Sequence, residues 1–193
     1  MVNKVLRARF ILLGVALIFI IPVLLSWYLV FFTDFKKGGG GTQKGELISP
    51  AIRLEKLEVY DIKNDTIASI NDKWTLVFFV EKDCNRLCED KLYQLRQIRL
   101  ALGKDRDKVD RLLISKKIQS WIKFSDLFNG QKYIDPKSAS YGKLVKKFQD
   151  YPEFDARATY LIDPFGFLMM KYKPDANPMG IIKDIERLLK NQK

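Results

Sequence analysis

Hydrophobic positions along the chain fall into three regimes. From Phe10 to Phe32 no charged residue interrupts an apolar run. A helix of that length crosses the hydrocarbon of a bilayer, and Pro22 within it is tolerated there with a kink. A helix buried in a water-soluble core rarely carries so long an uncharged stretch. The run is also too long for a cleaved signal peptide, and no small-residue cleavage site follows it. Next come four consecutive glycines, Gly38–Gly41, whose composition is that of a flexible tether. Beyond them apolar residues alternate, cluster, or recur at helical spacing. The pattern predicts a tail over 1–9, a transmembrane anchor over 10–32, a glycine-rich tether over 33–46 and a folded domain over 47–193.

Within the domain, Gly45–Pro50 reads as the approach to the fold. Leu54–Ile62 alternates as a strand, and Thr66–Ile70 is placed to pair with it across a turn at Asn64-Asp65. Trp74–Val80, WTLVFFV, is continuously apolar, as expected of a central strand covered on both faces. Leu87, Tyr93, Leu95, Ile98 and Leu102 recur at near-helical spacing, and Gly103 ends that helix. Val109–Ser115 is the next inner strand. Ile118–Phe128 is short and amphipathic, and Tyr133-Ile134 precedes a break at Asp135-Pro136. Ser138–Phe148 is a helix with Ser138 or Ser140 as its cap. Arg157–Asp163 and Phe165–Tyr172 form a hairpin turning at Asp163-Pro164-Phe165-Gly166. Pro178–Leu189 closes the chain as a helix.

Charge orients this picture. The chain holds 34 basic and 23 acidic residues, a net +11. Lys4, Arg7 and Arg9 precede the apolar run with no acid among them. The excess of basic residues on that side places the N-terminus in the cytoplasm and the domain outside. Setting those three aside leaves +8, which suits a domain near anionic headgroups or an acidic partner. The lysines are scattered and no arginine–aromatic motif accompanies them, so a nucleic-acid module is not indicated. No transit peptide is visible, which favours a bacterial inner membrane with the domain in the periplasm.

The chain has no histidine. That removes the commonest metal ligand and the commonest general base, and serine-hydrolase chemistry with them. Two cysteines remain, Cys84 and Cys88, four residues apart where the Trp74–Val80 strand gives way to the following helix. A helix start presents unpaired N–H groups and partial positive charge, which stabilise a thiolate. Lys82 and Arg86 act in the same sense; Asp83, Glu89 and Asp90 oppose them. Cys84 is the more exposed, reactive thiol of this reading and Cys88 the resolving one. The same residues fit three chemistries: a structural disulfide, a redox pair, or a two-thiolate site for Cu(I), which favours soft ligands. Met169 and Met170 lie on the hairpin, where packing is the ordinary explanation.

The stretches VFFVEKDCNRLCEDKL and YLIDPFGFLMMKY resemble the Sco family of membrane-anchored, thioredoxin-fold cytochrome oxidase assembly proteins. The element order agrees: an α/β fold, a thioredoxin-like central mixed sheet flanked by helices, behind one N-terminal transmembrane helix. The resemblance implies copper as cofactor, held by Cys84 and Cys88. It implies a cytochrome oxidase subunit or other assembly factors as partners, and action on copper or on the thiols of the oxidase copper site. Two positions depart from the family pattern. Glu89 follows the second cysteine where proline is usual. Asp155, five residues before Tyr160, stands where the family carries its copper-binding histidine. A membrane-tethered thiol–disulfide oxidoreductase and a non-catalytic, partner-binding relative are the alternatives. Thioredoxin-type reductases place a cis-proline ahead of the hairpin strand, and Ala156–Tyr160 contains none.

Overall fold

The structure is a computed structural model, and it describes residues 2–32, 43–54, 58–61, 67–69, 72–81, 83–117 and 129–191. The tether at 33–42, the turn at Asn64-Asp65 and the amphipathic stretch Ile118–Phe128 lie outside the described residues. The chain divides into two compact units, Met1–Thr42 and Gln43–Lys193. The first contains a single helix, α1 (Val2–Phe32), which continues through Pro22. Its segment Ala8–Tyr28 is long and apolar enough to cross a membrane, and none of it is buried against protein.

The second unit is built on one sheet. Its described strands are β1 (Glu46–Arg53), β2 (Glu58–Asp61), β3 (Ile67–Ser69), β4 (Trp74–Val80), β5 (Val109–Ser115), β6 (Gln131–Tyr133), β7 (Thr159–Ile162) and β8 (Phe167–Tyr172). They lie in the order β1-β8-β7-β4-β5-β6-β2-β3. The β4–β5 and β5–β6 pairs are parallel and the others antiparallel, so the sheet is mixed. Among the described residues three α-helices flank it: α2 (Arg86–Ala101), α3 (Ala139–Gln149) and α4 (Pro178–Lys190). The thioredoxin-like α/β arrangement expected from the residue pattern is therefore present.

All seven residues of β4 are buried, as are all seven of β5. Alternation along β4 sends Trp74, Leu76, Phe78 and Val80 to one face, where they meet Leu92, Leu95 and Ile98 of α2 and Ile181 and Ile185 of α4. Val77 and Phe79 go to the other face and meet Leu144 and Phe148 of α3. Each such side chain contributes roughly 1.5–3 kcal/mol by leaving water, so β4 is held from both faces. The turn that carries the cysteines starts from its carboxyl end.

Two expectations need correction. The segment ahead of Leu54 is a strand rather than an approach: β1 pairs antiparallel with β8. Pro50 cannot donate to a ladder, but β1 is an edge strand and has a bulge between Leu47 and Ile52, where a missing donor is tolerated. Leu54 does not continue that strand into the next. Its N–H donates to the Gly166 carbonyl at 2.8 Å and its side chain is buried, and β2 begins at Glu58. Second, Leu87 and Tyr93 do not belong to the buried stripe of α2. That stripe is Cys88, Leu92, Leu95 and Ile98. Leu87 precedes it by one residue, about 100° around the helix, and is 77% exposed.

Candidate functional site

Asn85 sets the local geometry. It sits in extended conformation ahead of α2, and its side-chain oxygen accepts the Cys88 N–H at 3.2 Å. Its carbonyl accepts the Glu89 N–H at 3.0 Å. Asparagine is among the best residues for this role, because the backbone donors of a first helical turn otherwise lack acceptors. The cap places Cys84 just outside the helix and Cys88 in its first turn, one above the other. They are joined by a disulfide, with Cα atoms 5.3 Å apart. Cys88 is buried and its sulfur faces the core with Phe78, Val80 and Leu92; Cys84 is partly exposed and packs against the edge of the same cluster.

Beside the bridge runs a groove of about 550 Å³. Phe78, Val80 and Leu87 give it an apolar side, and Ala156, Arg157 and Pro174 close it from across. Lys91 donates to the Pro174 carbonyl at 3.3 Å, tying the loop after β8 to α2. Burial holds the Lys91 ammonium below the ordinary lysine range. Asp83, one of the acids set against a Cys84 thiolate, is engaged by Lys117 at 3.0 Å. That pairing neutralises one opposing charge. Lys82 lies outside the described residues.

Asp155 is held on both sides. Its carboxylate accepts the Arg157 backbone N–H at 2.9 Å and the Arg157 guanidinium at 3.2 and 3.3 Å. Arg157 thereby keeps this carboxyl below the usual carboxylate range. The Tyr160 hydroxyl accepts the Asp155 N–H at 2.8 Å and donates to its carbonyl at 3.1 Å. Met170 is a core residue, with the buried Tyr172 hydroxyl donating to its sulfur at 3.7 Å. Among the described residues no group of three histidine, cysteine, aspartate or glutamate side chains is placed to hold a metal ion. The donors at this turn are two sulfurs bonded to each other, and the Asp155 carboxylate is committed to Arg157. They do not fit a copper centre that needs a third ligand.

The site residues proposed from the pattern, Cys84 and Cys88, are thus brought together. Asn85, Leu87, Arg157 and Pro174 were not singled out. Asn85 was legible as a polar cap immediately ahead of a helical pattern. The others have no local signal, because the groove is assembled from three separate segments.

A family described as transmembrane-like, thioredoxin-like, C-terminal domain matches residues 74–191. The chain belongs to this family. The match begins at the first residue of β4 and ends just past α4, so this member's cysteine turn and groove lie inside it. Among solved structures, the copper-bound ScoI of Bradyrhizobium japonicum is 21% identical, with a TM-score of 0.54 over 71% of this chain and 99% of that one. The apo Sco1 protein of Thermus thermophilus is 16% identical, with a TM-score of 0.60 over 78% and 99%. BsSco, described with a disulfide switch and as a member of the Sco family of cytochrome c oxidase assembly proteins, is 13% identical, with a TM-score of 0.54 over 72% of this chain and 94% of that one. These likenesses establish a shared fold. No curated protein matches the chain in sequence.

Proposed function

We propose that this protein is a membrane-anchored assembly factor for a respiratory cytochrome oxidase, acting on the cysteine thiols of the oxidase copper site through Cys84 and Cys88. Its helix α1 lies in the inner membrane of a bacterium, the N-terminus is cytoplasmic, and the domain works in the periplasm. The observation that carries this reading is the Cys84–Cys88 pair itself, one sulfur partly exposed and one buried, at a helix start beside an open groove.

The exchange starts from the reduced pair. The Cys84 thiolate attacks one sulfur of a disulfide on the partner. The partner's S–S bond breaks, a mixed disulfide to Cys84 forms, and the departing partner sulfur takes a proton. Cys88 then attacks Cys84, closing the bridge described above and releasing the second partner thiol. Two electrons pass from this chain to the partner, and a dithiol reductant resets the pair. The positive end of α2 stabilises the Cys84 thiolate. No step is routed through copper.

The test is a Cys88→Ser full chain expressed in membranes, where the second step is blocked. A covalent adduct to a partner is expected, cleaved by reductant and absent from the Cys84→Ser chain. If no adduct forms, and Cys84 in the reduced protein titrates at about 8.5 or above like an ordinary thiol, the redox role fails and the pair is a structural bridge in a partner-binding protein.

A further inference from the structure

The chain joins the domain at Lys44-Gly45, and that junction is held firmly. Asp184 of α4, only 2% exposed, accepts the Lys44 N–H at 2.8 Å and the Gly45 N–H at 2.9 Å with one carboxylate oxygen. A side chain at Gly45 would meet the Tyr172 ring at 2.6 Å, so only glycine lets the backbone come this close. The stem of Lys44 crosses the first turn of α4, where a side chain at Gly180 would meet its Cβ and Cγ at 3.0 Å. The junction is thus a fixed point on the domain surface.

A recess of about 450 Å³ opens there, with Lys44, Lys171, Lys173 and Lys183 around it and Glu46 and Asp175 as its acids. Glu46 is paired with Lys173 at 3.2 Å, and Asp175 acts on Lys91 across the loop. Among the described residues neither Lys44 nor Lys183 has a carboxylate within ion-pair distance. Met179 lines the same recess, 56% exposed, one helical turn from Lys183 on α4, so the two share a face. Basic side chains around an exposed apolar one are the chemistry of a bilayer interface.

Chain length supplies the second argument. Only residues 33–42 separate the end of α1 from the described domain. Fully extended, they and the flanking bonds span at most about 40 Å. If α1 spans a membrane, as the reading above requires, this recess is held near its surface at high effective concentration.

We infer that the Lys44–Lys183–Met179 face is a docking surface for the anionic lipid headgroups of the membrane in which the chain is anchored. Pro174 of the adjoining loop walls the cysteine groove, so docking presents the exchange site to partners lying close to the bilayer.

The experiment uses the full chain, oxidised so that Cys84 and Cys88 are unreactive, carrying an environment-sensitive dye at Met179→Cys. It is inserted in vesicles of phosphatidylcholine alone or of phosphatidylcholine with phosphatidylglycerol. The expected result is a blue-shifted emission, quenched by headgroup-labelled lipid, in the anionic vesicles only. It is lost at ~1 M salt, where screening acts within about 3 Å. Lys44→Gln and Lys183→Gln each lower the docked-to-undocked ratio about fivefold, with circular dichroism confirming that the variants fold. Equal signals in both lipids, or signals indifferent to the two lysines, overturn the inference. Loss of the signal on adding inorganic phosphate marks a free-anion site and overturns it also. Flotation of the chain with the vesicles checks the anchor separately, so a chain that fails to insert tells against the anchored reading itself.

Discussion

The two walls of the cysteine groove are held by different means. The α2 wall depends on a helix start: one asparagine cap, one bridge over a single turn, and aliphatic side chains beneath. The opposite wall, Ala156 and Arg157, follows Asp155, whose backbone rests on an aromatic cluster. Phe79 meets Phe148 at 4.8 Å and Phe154 at 5.1 Å between ring centroids, both edge-to-face, and Tyr160 joins them while its hydroxyl fastens the Asp155 backbone. The contrast teaches that the reactive side is stabilised locally, so one side chain can retune it. The facing side is locked to the core and its carboxylate is already neutralised. The two sulfurs belong to one wall, and Ala156 and Arg157 to the other.

The largest test of this contrast is Phe148→Ala. Phe148 is fully buried at the centre of the aromatic cluster, so truncation should cost about 3–5 kcal/mol in denaturant unfolding of the detergent-solubilised chain. A loss below ~1 kcal/mol would show that the second wall does not depend on those rings. Asn85→Ala should cost about 1 kcal/mol and speed hydrogen exchange at the Cys88 amide while leaving the Asp155 amide protected. Equal acceleration at both would erase the distinction between the walls. The smallest effect is expected from Arg157→Gln, read by carboxyl NMR titration of Asp155. Because Arg157 lowers this pKa in the folded protein, the pair contributes above the unfolded value near ~3.9 and its contribution disappears as pH falls through the folded value. The variant should move the Asp155 titration upward, lose stability only above the acid range, and leave the α2 amides unchanged.

Much of this was legible from residue order. Six apolar residues and one threonine in succession read as a strand covered on both faces, and β4 is that strand. The helix starts at Ser138 and Pro178 are kept by the structure; Ser138 caps α3 as expected, and Asn177, not singled out in the pattern, caps α4. The cysteine pair was legible because four residues is a local distance. Strand β1 was not, because Pro50 argues against a strand unless it lies at an edge, and the edge is a property of the assembled sheet. Leu87 was misplaced because one residue of helical phase separates a buried stripe from an exposed position. The groove was invisible because Arg157 and Pro174 approach Leu87 only after β7, β8 and α2 have packed. At Asp155 the pattern showed which residue stands there; its commitment to Arg157 needed coordinates.

The ring that the two sulfurs close encloses only Asn85, Arg86 and Leu87 between them. Opening it frees no distant segment, since β4, α3 and the hairpin are held by ladder pairing and core packing other than the bridge. A binding protein standing anywhere else on the surface would sense the same molecule in both oxidation states. Whatever discriminates between them must therefore lay its own atoms on those three residues or on the partly exposed Cys84 beside them.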